Sequence, residues 1–149
     1  MVVLDCVLPP LAWSNSRMTK NQLLLLVEDE ALIQNLLGNA LVKAGYEVVV
    51  AENGVKALEE LALDANRFRG VITDIRLGSG PNGWAVAHRA RALSPTIPVI
   101  YMSGDSGHEW SPQGVPNSVM LVKPFRMSEV VAAISALILA EDTRQATSP

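Results

Sequence analysis

Apolar and polar positions change period in a regular way from Leu23 onward. "LLLLV", Leu23 to Val27, is an unbroken apolar run ended by Glu28, the pattern of a strand covered on both faces. The segment that follows returns to apolar residues every three or four positions. Leu32, Leu36, Leu37, Ala40 and Leu41 are expected to share the inward face of a helix that Gly45 ends. "YEVVVA" reads as a second strand, and "GVKALEELAL" as a helix with Val55, Leu58, Leu61 and Ala62 inward. "GVITDI" is a third strand, and "GWAVAHRARAL" a helix stopped by Ser94-Pro95. "IPVIYM" and "SVMLV" are the fourth and fifth strands, the last read as buried and delivering Lys123. "SEVVAAISALILA" closes the series as a helix with Ser128 as its N-cap. Between the last two strands, "SGDSGHEWSPQGVPNS" holds more glycine and proline than a helix tolerates, so a fourth helix there is at most a turn or two.

Strict alternation of strands and helices with short connections implies a parallel sheet between helix layers. The expected fold is α/β, a flavodoxin-like doubly wound sheet of five strands in the order 2-1-3-4-5, with a weak or short fourth helix. Ligands of such sheets bind at the carboxyl ends of the strands, around the point where strand order reverses. Residues 1–20, broken by Pro9-Pro10 and "SNSR", read as a loose N-terminal extension. Residues 21–140 form the domain, and 141–149 read as a frayed polar tail.

Composition narrows the function without naming it. A formal net charge of −3 over 149 residues offers no basic field, which argues against nucleic acid as a partner. Cys6 is the only cysteine, so neither an internal disulfide nor a cysteine metal cage is available. No apolar run reaches the length of a membrane span, and the first dozen residues carry Asp5 without a basic leading segment. A cytoplasmic protein is the expectation.

The chemistry gathers where the strands end. Glu28 and Asp29 close the first strand, with Glu30 just beyond; Asp74 closes the third, Ser103 the fourth and Lys123 the fifth. Asp29 taken alone is also readable as the N-cap of the first helix. Together, the acids, the hydroxyl and the lysine form a less ordinary set. Clustered carboxylates raise one another's pKa unless a cation is present, and Mg²⁺ prefers one or two carboxylates plus water and phosphate oxygens. An added ammonium and hydroxyl suit a phosphoryl group, with a carboxylate as the candidate nucleophile. No serine, cysteine and histidine arrangement competes. His88 and His108 lack the setting of a relay histidine or a metal ligand and read as surface residues.

"LLLLVEDE", "VITDIRL", "VIYMSG" and "LVKPF", in that order and spacing, resemble the receiver domain of bacterial two-component response regulators, from about residue 22 to about residue 140. The resemblance implies that Asp74 is the phospho-acceptor and that Asp29 binds Mg²⁺ directly. Glu28 would act on the metal through water, and Arg76 would supply its backbone carbonyl. Ser103 stands at the family's switch hydroxyl, and Lys123 would pair with the phosphoryl group, with the bond to Pro124 cis. Arg76 and Asp105 would tune the phosphoryl lifetime. The implied donor is a sensor histidine kinase or a phosphotransfer protein. The resemblance implies no enzyme beyond slow self-dephosphorylation. The tail after Ala140 is too short to fold alone, so the expectation is a stand-alone receiver without an effector domain, working through an output partner or as a phosphate shuttle or sink.

Three features depart from or qualify that pattern. The family's aromatic residue three positions before the lysine is Met120 here, which is flexible and has no ring or hydroxyl to report burial. The loop "RLGSGPNGW" is glycine-rich and lacks the ending of a phosphate-binding loop; it reads as a mobile flap with Gly78, Gly80 and Gly83 supplying backbone freedom. Trp84 is either a packing residue at a helix start or part of a kinase-docking surface. The competing functions are a phosphorylation-independent pseudo-receiver that only docks a partner, and an aspartyl-phosphate hydrolase. The hydrolase needs a second Asp two residues after Asp29, where Ala31 stands.

Overall fold

The computed structural model describes residues 22–104 and 110–147. The expected N-terminal extension, His108 and Asp105 lie outside the described residues. Five strands, β1 (Leu23–Val27), β2 (Glu47–Ala51), β3 (Gly70–Asp74), β4 (Val99–Ser103) and β5 (Val119–Val122), form one parallel sheet. Their order is β2-β1-β3-β4-β5, as the sequence pattern implies. The helices are α1 (Ala31–Lys43), α2 (Gly54–Asp64), α3 (Gly83–Leu93), α4 (Trp110–Gln113) and α5 (Met127–Thr147).

Side-chain alternation along the strands divides the core in two. Leu25, Val27, Val71, Val99 and Tyr101 face α2 and α3, where Ala57, Leu61, Trp84, Val86 and Ala90 are buried. Leu24, Leu26, Ile72, Ile100 and Met102 face α1 and α5, where Leu37, Leu41, Val130, Ile134 and Ile138 are buried. Burying each such side chain is worth about 1.5–3 kcal/mol, so the central strands anchor the sheet. The short α4 matches the glycine and proline content of its segment.

Helix ends follow the capping chemistry of their residues. The side chains of Asn53 and Asn82 accept from the N–H groups of Lys56 and Ala85 at 2.8 and 3.0 Å, starting α2 and α3. Gly45, at φ 103°, ends α1: its N–H donates to Val42 and that of Tyr46 to Leu41, the paired bonds of a Schellman turn.

Five expectations are corrected. Leu32 and Leu36 are 61% and 47% exposed, so α1 turns Leu37 and Leu41 inward instead. Val55 is likewise exposed, as is Ala62, and α2 buries Gly54, Ala57 and Leu61. β5 is an edge strand, half-buried, with Val122 exposed, because it stands last in the strand order and pairs with β4 alone among the described residues. The last helix starts at Met127, and Glu129 accepts from the Arg126 N–H at 2.6 Å, so Ser128 is not the cap. That helix also runs to Thr147, so residues 141–147 are helical where a frayed tail was expected, and Glu141 is buried.

Candidate functional site

The carboxyl ends of β1, β3, β4 and β5 bring together the residues that the sequence marks. Glu28, Asp29 and Asp74 each present a carboxylate oxygen, and these oxygens all lie within 4.8 Å of one another. Asp74 is buried at the end of β3, while Asp29 is exposed at the mouth. The N-cap of α1 is Glu30, without a side-chain cap bond, so Asp29 is not spent on capping.

Glu28 is the deepest of the three, fully buried. Its Oε2 accepts from the Glu30 N–H at 3.0 Å, and Oε1 has no hydrogen-bond partner. Burial pushes its carboxyl up to about 7; the Glu30 N–H works against that shift, and the Asp74 charge adds to it. A buried carboxylate oxygen without a partner is costly. Beside two further carboxylates it has the chemistry of a hard-cation site, and this donor set fits Mg²⁺.

Lys123 follows β5 and donates from Nζ to Asp74 Oδ2 at 3.1 Å. Burial opposes its charge, but Asp74, with Glu28 and Glu30, more than offsets this and holds the ammonium above its ordinary pKa. The Lys123–Pro124 peptide is cis. Ser103, buried at the end of β4, is tied into the same corner, its carbonyl accepting from the Lys123 N–H at 2.7 Å.

The residues assigned to tuning are less uniformly placed. Arg76 has an exposed side chain and lines a cavity of about 500 Å³ with Gly78, Gly80, Asn82, Trp84 and Gln113. Met120 is half-buried and packs against the cluster that contains Tyr101. Trp84 is a packing residue, 5% exposed, its ring centroid 4.6 Å from that of Tyr101. Gly78 and Gly80 have φ of 75° and 91°, as a glycine-rich flap predicts. Gly83 serves otherwise: it is buried, and a Cβ there would lie 2.3 Å from the Asp74 carbonyl oxygen. His88 is exposed, and its Nε2 lies 2.8 Å from the Gln113 carbonyl.

Sequence reasoning missed three supporting groups. The Glu30 N–H orients Glu28, Gln34 Nε2 donates to the Glu28 carbonyl at 2.6 Å, and Tyr101 accepts the Val115 N–H at 3.1 Å. Gln34 one turn after Glu30 was the available signal for the second of these. The others depend on backbone paths that no residue pattern reveals.

Comparison with known proteins points one way. The family model described as "Response regulator receiver domain" matches residues 24–135. The response regulator receiver protein CpdR of Brucella abortus is 30% identical over 119 residues, covering 78% of this chain and 97% of CpdR. The crystal structure of a response regulator receiver protein from Sinorhizobium medicae shares 40% identity at a TM-score of 0.76, covering 79% of this chain and 94% of that one. The receiver domain of the sensor histidine kinase PA1611 from Pseudomonas aeruginosa is 22% identical at a TM-score of 0.68 and shares the fold over 79% of this chain and 98% of its own. That domain was crystallised with a magnesium ion coordinated in its active site cleft.

Proposed function

The chain belongs to the response regulator receiver family, and from that premise we propose that it accepts a phosphoryl group on Asp74 in a histidine-to-aspartate relay. The observation that carries this reading is the pairing of buried Asp74 with Lys123 beside the partnerless oxygen of Glu28.

An Asp74 carboxylate oxygen attacks the donor phosphorus in line. A new O–P bond forms as the P–N bond of a phosphohistidine breaks, and the leaving imidazole keeps the electron pair. A small acyl phosphate would donate through its P–O bond in the same way. The Lys123 ammonium exchanges its bond to free Asp74 for a phosphoryl oxygen, which keeps positive charge where negative charge accumulates. The Ser103 hydroxyl donates to a second phosphoryl oxygen, and its movement is the start of the conformational signal.

Asp29 and Asp74 would hold the magnesium ion, with Glu28 acting through water and the Arg76 carbonyl completing the shell. Such an ion supplies charge neutralisation for both the carboxylates and the transferring group. The magnesium described for the PA1611 domain supports this assignment. Arg76 and Asp105 tune the later attack of water, and the chain's own turnover is limited to slow loss of the phosphoryl group.

The donor is a protein, a sensor kinase or phosphotransfer domain. Leu32 and Leu36, exposed one turn apart on the first half of α1, offer it an apolar strip next to the acid rim. The near-complete coverage of CpdR supports a receiver that signals through a protein partner or passes its phosphoryl group on. Among the described residues no helix is long and apolar enough to cross a membrane; with the acidic balance, this supports cytoplasmic work without nucleic acid.

Incubation with acetyl phosphate and Mg²⁺ followed by intact mass measurement tests the central claim. The expected result is a gain of one phosphoryl group in the wild type and none in Asp74→Asn or in EDTA. A mass gain that persists in Asp74→Asn would overturn it.

A further inference from the structure

The stretch from Trp110 to Ser118 is a compact unit held to the body by a few bonds. Within it, the Trp110 indole N–H donates to Ser118 Oγ at 2.9 Å, and Ser118 Oγ donates to the Val115 carbonyl at 2.6 Å. Outward anchors come from α3: His88 Nε2 pairs with the Gln113 carbonyl, and Arg91 Nη1 donates to the Pro116 carbonyl at 2.5 Å. Both are exposed. The buried anchor is different, the Tyr101 hydroxyl accepting the Val115 N–H at 3.1 Å.

Tyr101 stands where two routes from the Asp74 site meet. Along β4, Ser103 lies two residues on and therefore on the same face of the sheet. From the acceptor loop, Gly83 donates its N–H to the Ile75 carbonyl at 2.8 Å and lies against the Asp74 carbonyl. The next residue, Trp84, packs on the Tyr101 ring at an interplanar angle of 54°. Met120 is the β5 partner of Tyr101 in the sheet register. It is half-buried and unbranched, its thioether is only a weak acceptor, and the Val115 N–H goes to Tyr101 instead. Tyr101 has a rigid ring, complete burial and a hydroxyl already committed to the segment.

We propose that Tyr101 is the positioning residue that couples the state of the Asp74 site to the 110–118 segment, in the place that residue 120 leaves unfilled. The inference rests on the reading of Asp74 as phospho-acceptor. Movement of Ser103, or of the Ile75–Gly83 contact, shifts the Tyr101 ring and changes its hold on Val115. The segment then settles in one of two seats on α3 and β4, because packed units rearrange in steps rather than stretch.

Amide hydrogen exchange on the full chain, with beryllofluoride and Mg²⁺ as the probe, tests this in the wild type, Tyr101→Phe, Met120→Ala and Tyr46→Phe. Tyr101→Phe keeps the ring and removes only the acceptor of Val115. Its 110–118 segment is expected to exchange about fivefold faster without the probe, the effect of one lost hydrogen bond. The wild type changes exchange in that segment when loaded, and Tyr101→Phe loses that difference. Met120→Ala keeps it. Tyr46→Phe also keeps it, since that hydroxyl pairs with Ser135 on the opposite face of the sheet. Unaltered basal exchange at Val115 in Tyr101→Phe, a surviving loaded-state difference there, or its loss in Met120→Ala would each overturn the proposal. Failure of the wild type to gain a phosphoryl group from acetyl phosphate would instead sink the acceptor reading, and the basal arm would still judge the role of Tyr101.

Discussion

Lys123 reaches past a whole strand to meet Asp74: its Nζ lies 3.1 Å from Oδ2, although β4 stands between β3 and β5 in the sheet. Adjacent strands are about 4.8 Å apart, so the gap of two strands is about 10 Å, which the long Lys123 stem, the Asp74 side chain and the bond between them close together. The ammonium is held there by charge, since burial on its own would lower its pKa and the surrounding carboxylates raise it.

Lys123→Met preserves the apolar stem and deletes the charge. The rate of phosphoryl transfer from acetyl phosphate is expected to fall at least about tenfold, equivalent to about 1.4 kcal/mol in the barrier. Mg²⁺ affinity should not fall, because the variant leaves all three carboxylates in place and removes a competing cation. Time courses by intact mass, with Mg²⁺ titrations alongside, separate the two effects. An unchanged rate would remove Lys123 from the chemistry.

Glu28 makes the metal-free protein sensitive to pH. Its folded pKa of about 7 lies above the ordinary 4.5, so the folded state holds the proton more tightly than the unfolded state does. The Glu28 contribution to stability in EDTA is therefore fully present below that ordinary value and is lost as pH rises through the window up to about 7. A raised pKa of this size sets an upper bound of about 3 kcal/mol on the loss. Added Mg²⁺ should restore the stability at pH 8 and release a proton when it binds near neutrality. Urea melts at pH 5 and 8, with and without metal, provide the measurement, and Glu28→Gln should flatten the profile.

Gly83→Ala tests the close approach behind the acceptor. The added methyl would meet the Asp74 carbonyl oxygen at 2.3 Å and the Ile75 Cα at 2.8 Å, both backbone atoms with nowhere to go. Overpacking of this kind costs about 1–3 kcal/mol, readable in urea melts. If the flap needed Gly83 only for conformational freedom, alanine at this helix start would instead be tolerated or mildly stabilising.

The topology was readable because each apolar run is long enough for a strand and each crossover long enough for a helix. Helix facing was not. In α1 two apolar stripes overlap, one through Leu32 and Leu36 and another through Leu37 and Leu41, and only the sheet decides which is buried. The acids, the serine and the lysine were legible because no alternation rule places them at strand ends. The groups that orient them were not, because the Glu30 N–H and the Gly83 contact are properties of the backbone path. Tyr101 was hidden inside the apolar run "VIYM", where its hydroxyl had no visible partner until the loop after α4 brought the Val115 N–H to it.

The far end of α5 shows the same limit of local reading and yields the last prediction. "EDTRQAT" is polar throughout and reads as a tail, yet Glu141 is buried, and its partners include Thr96, which the chain reaches only across the fold. Arg144 and Gln145 donate to the Glu141 carboxylate at 2.6 and 2.8 Å, and Arg69 donates to both oxygens of Asp142 at 2.7 and 2.8 Å. Burial would raise the Glu141 pKa, but the bonds from Arg144, Thr96 and Gln145 outweigh it and hold the carboxyl below its ordinary value. Its contribution is therefore present above the ordinary carboxylate range and is lost as pH falls through the depressed pKa, opposite in sign to that of Glu28. Glu141→Ala should lower stability at pH 7 by about 1–3 kcal/mol, the worth of hydrogen bonds to a buried charged group. The difference from wild type should shrink on acidification. A frayed tail predicts no loss at either pH, so paired urea melts at pH 7 and pH 3 decide whether residues 141–147 are part of the folded domain.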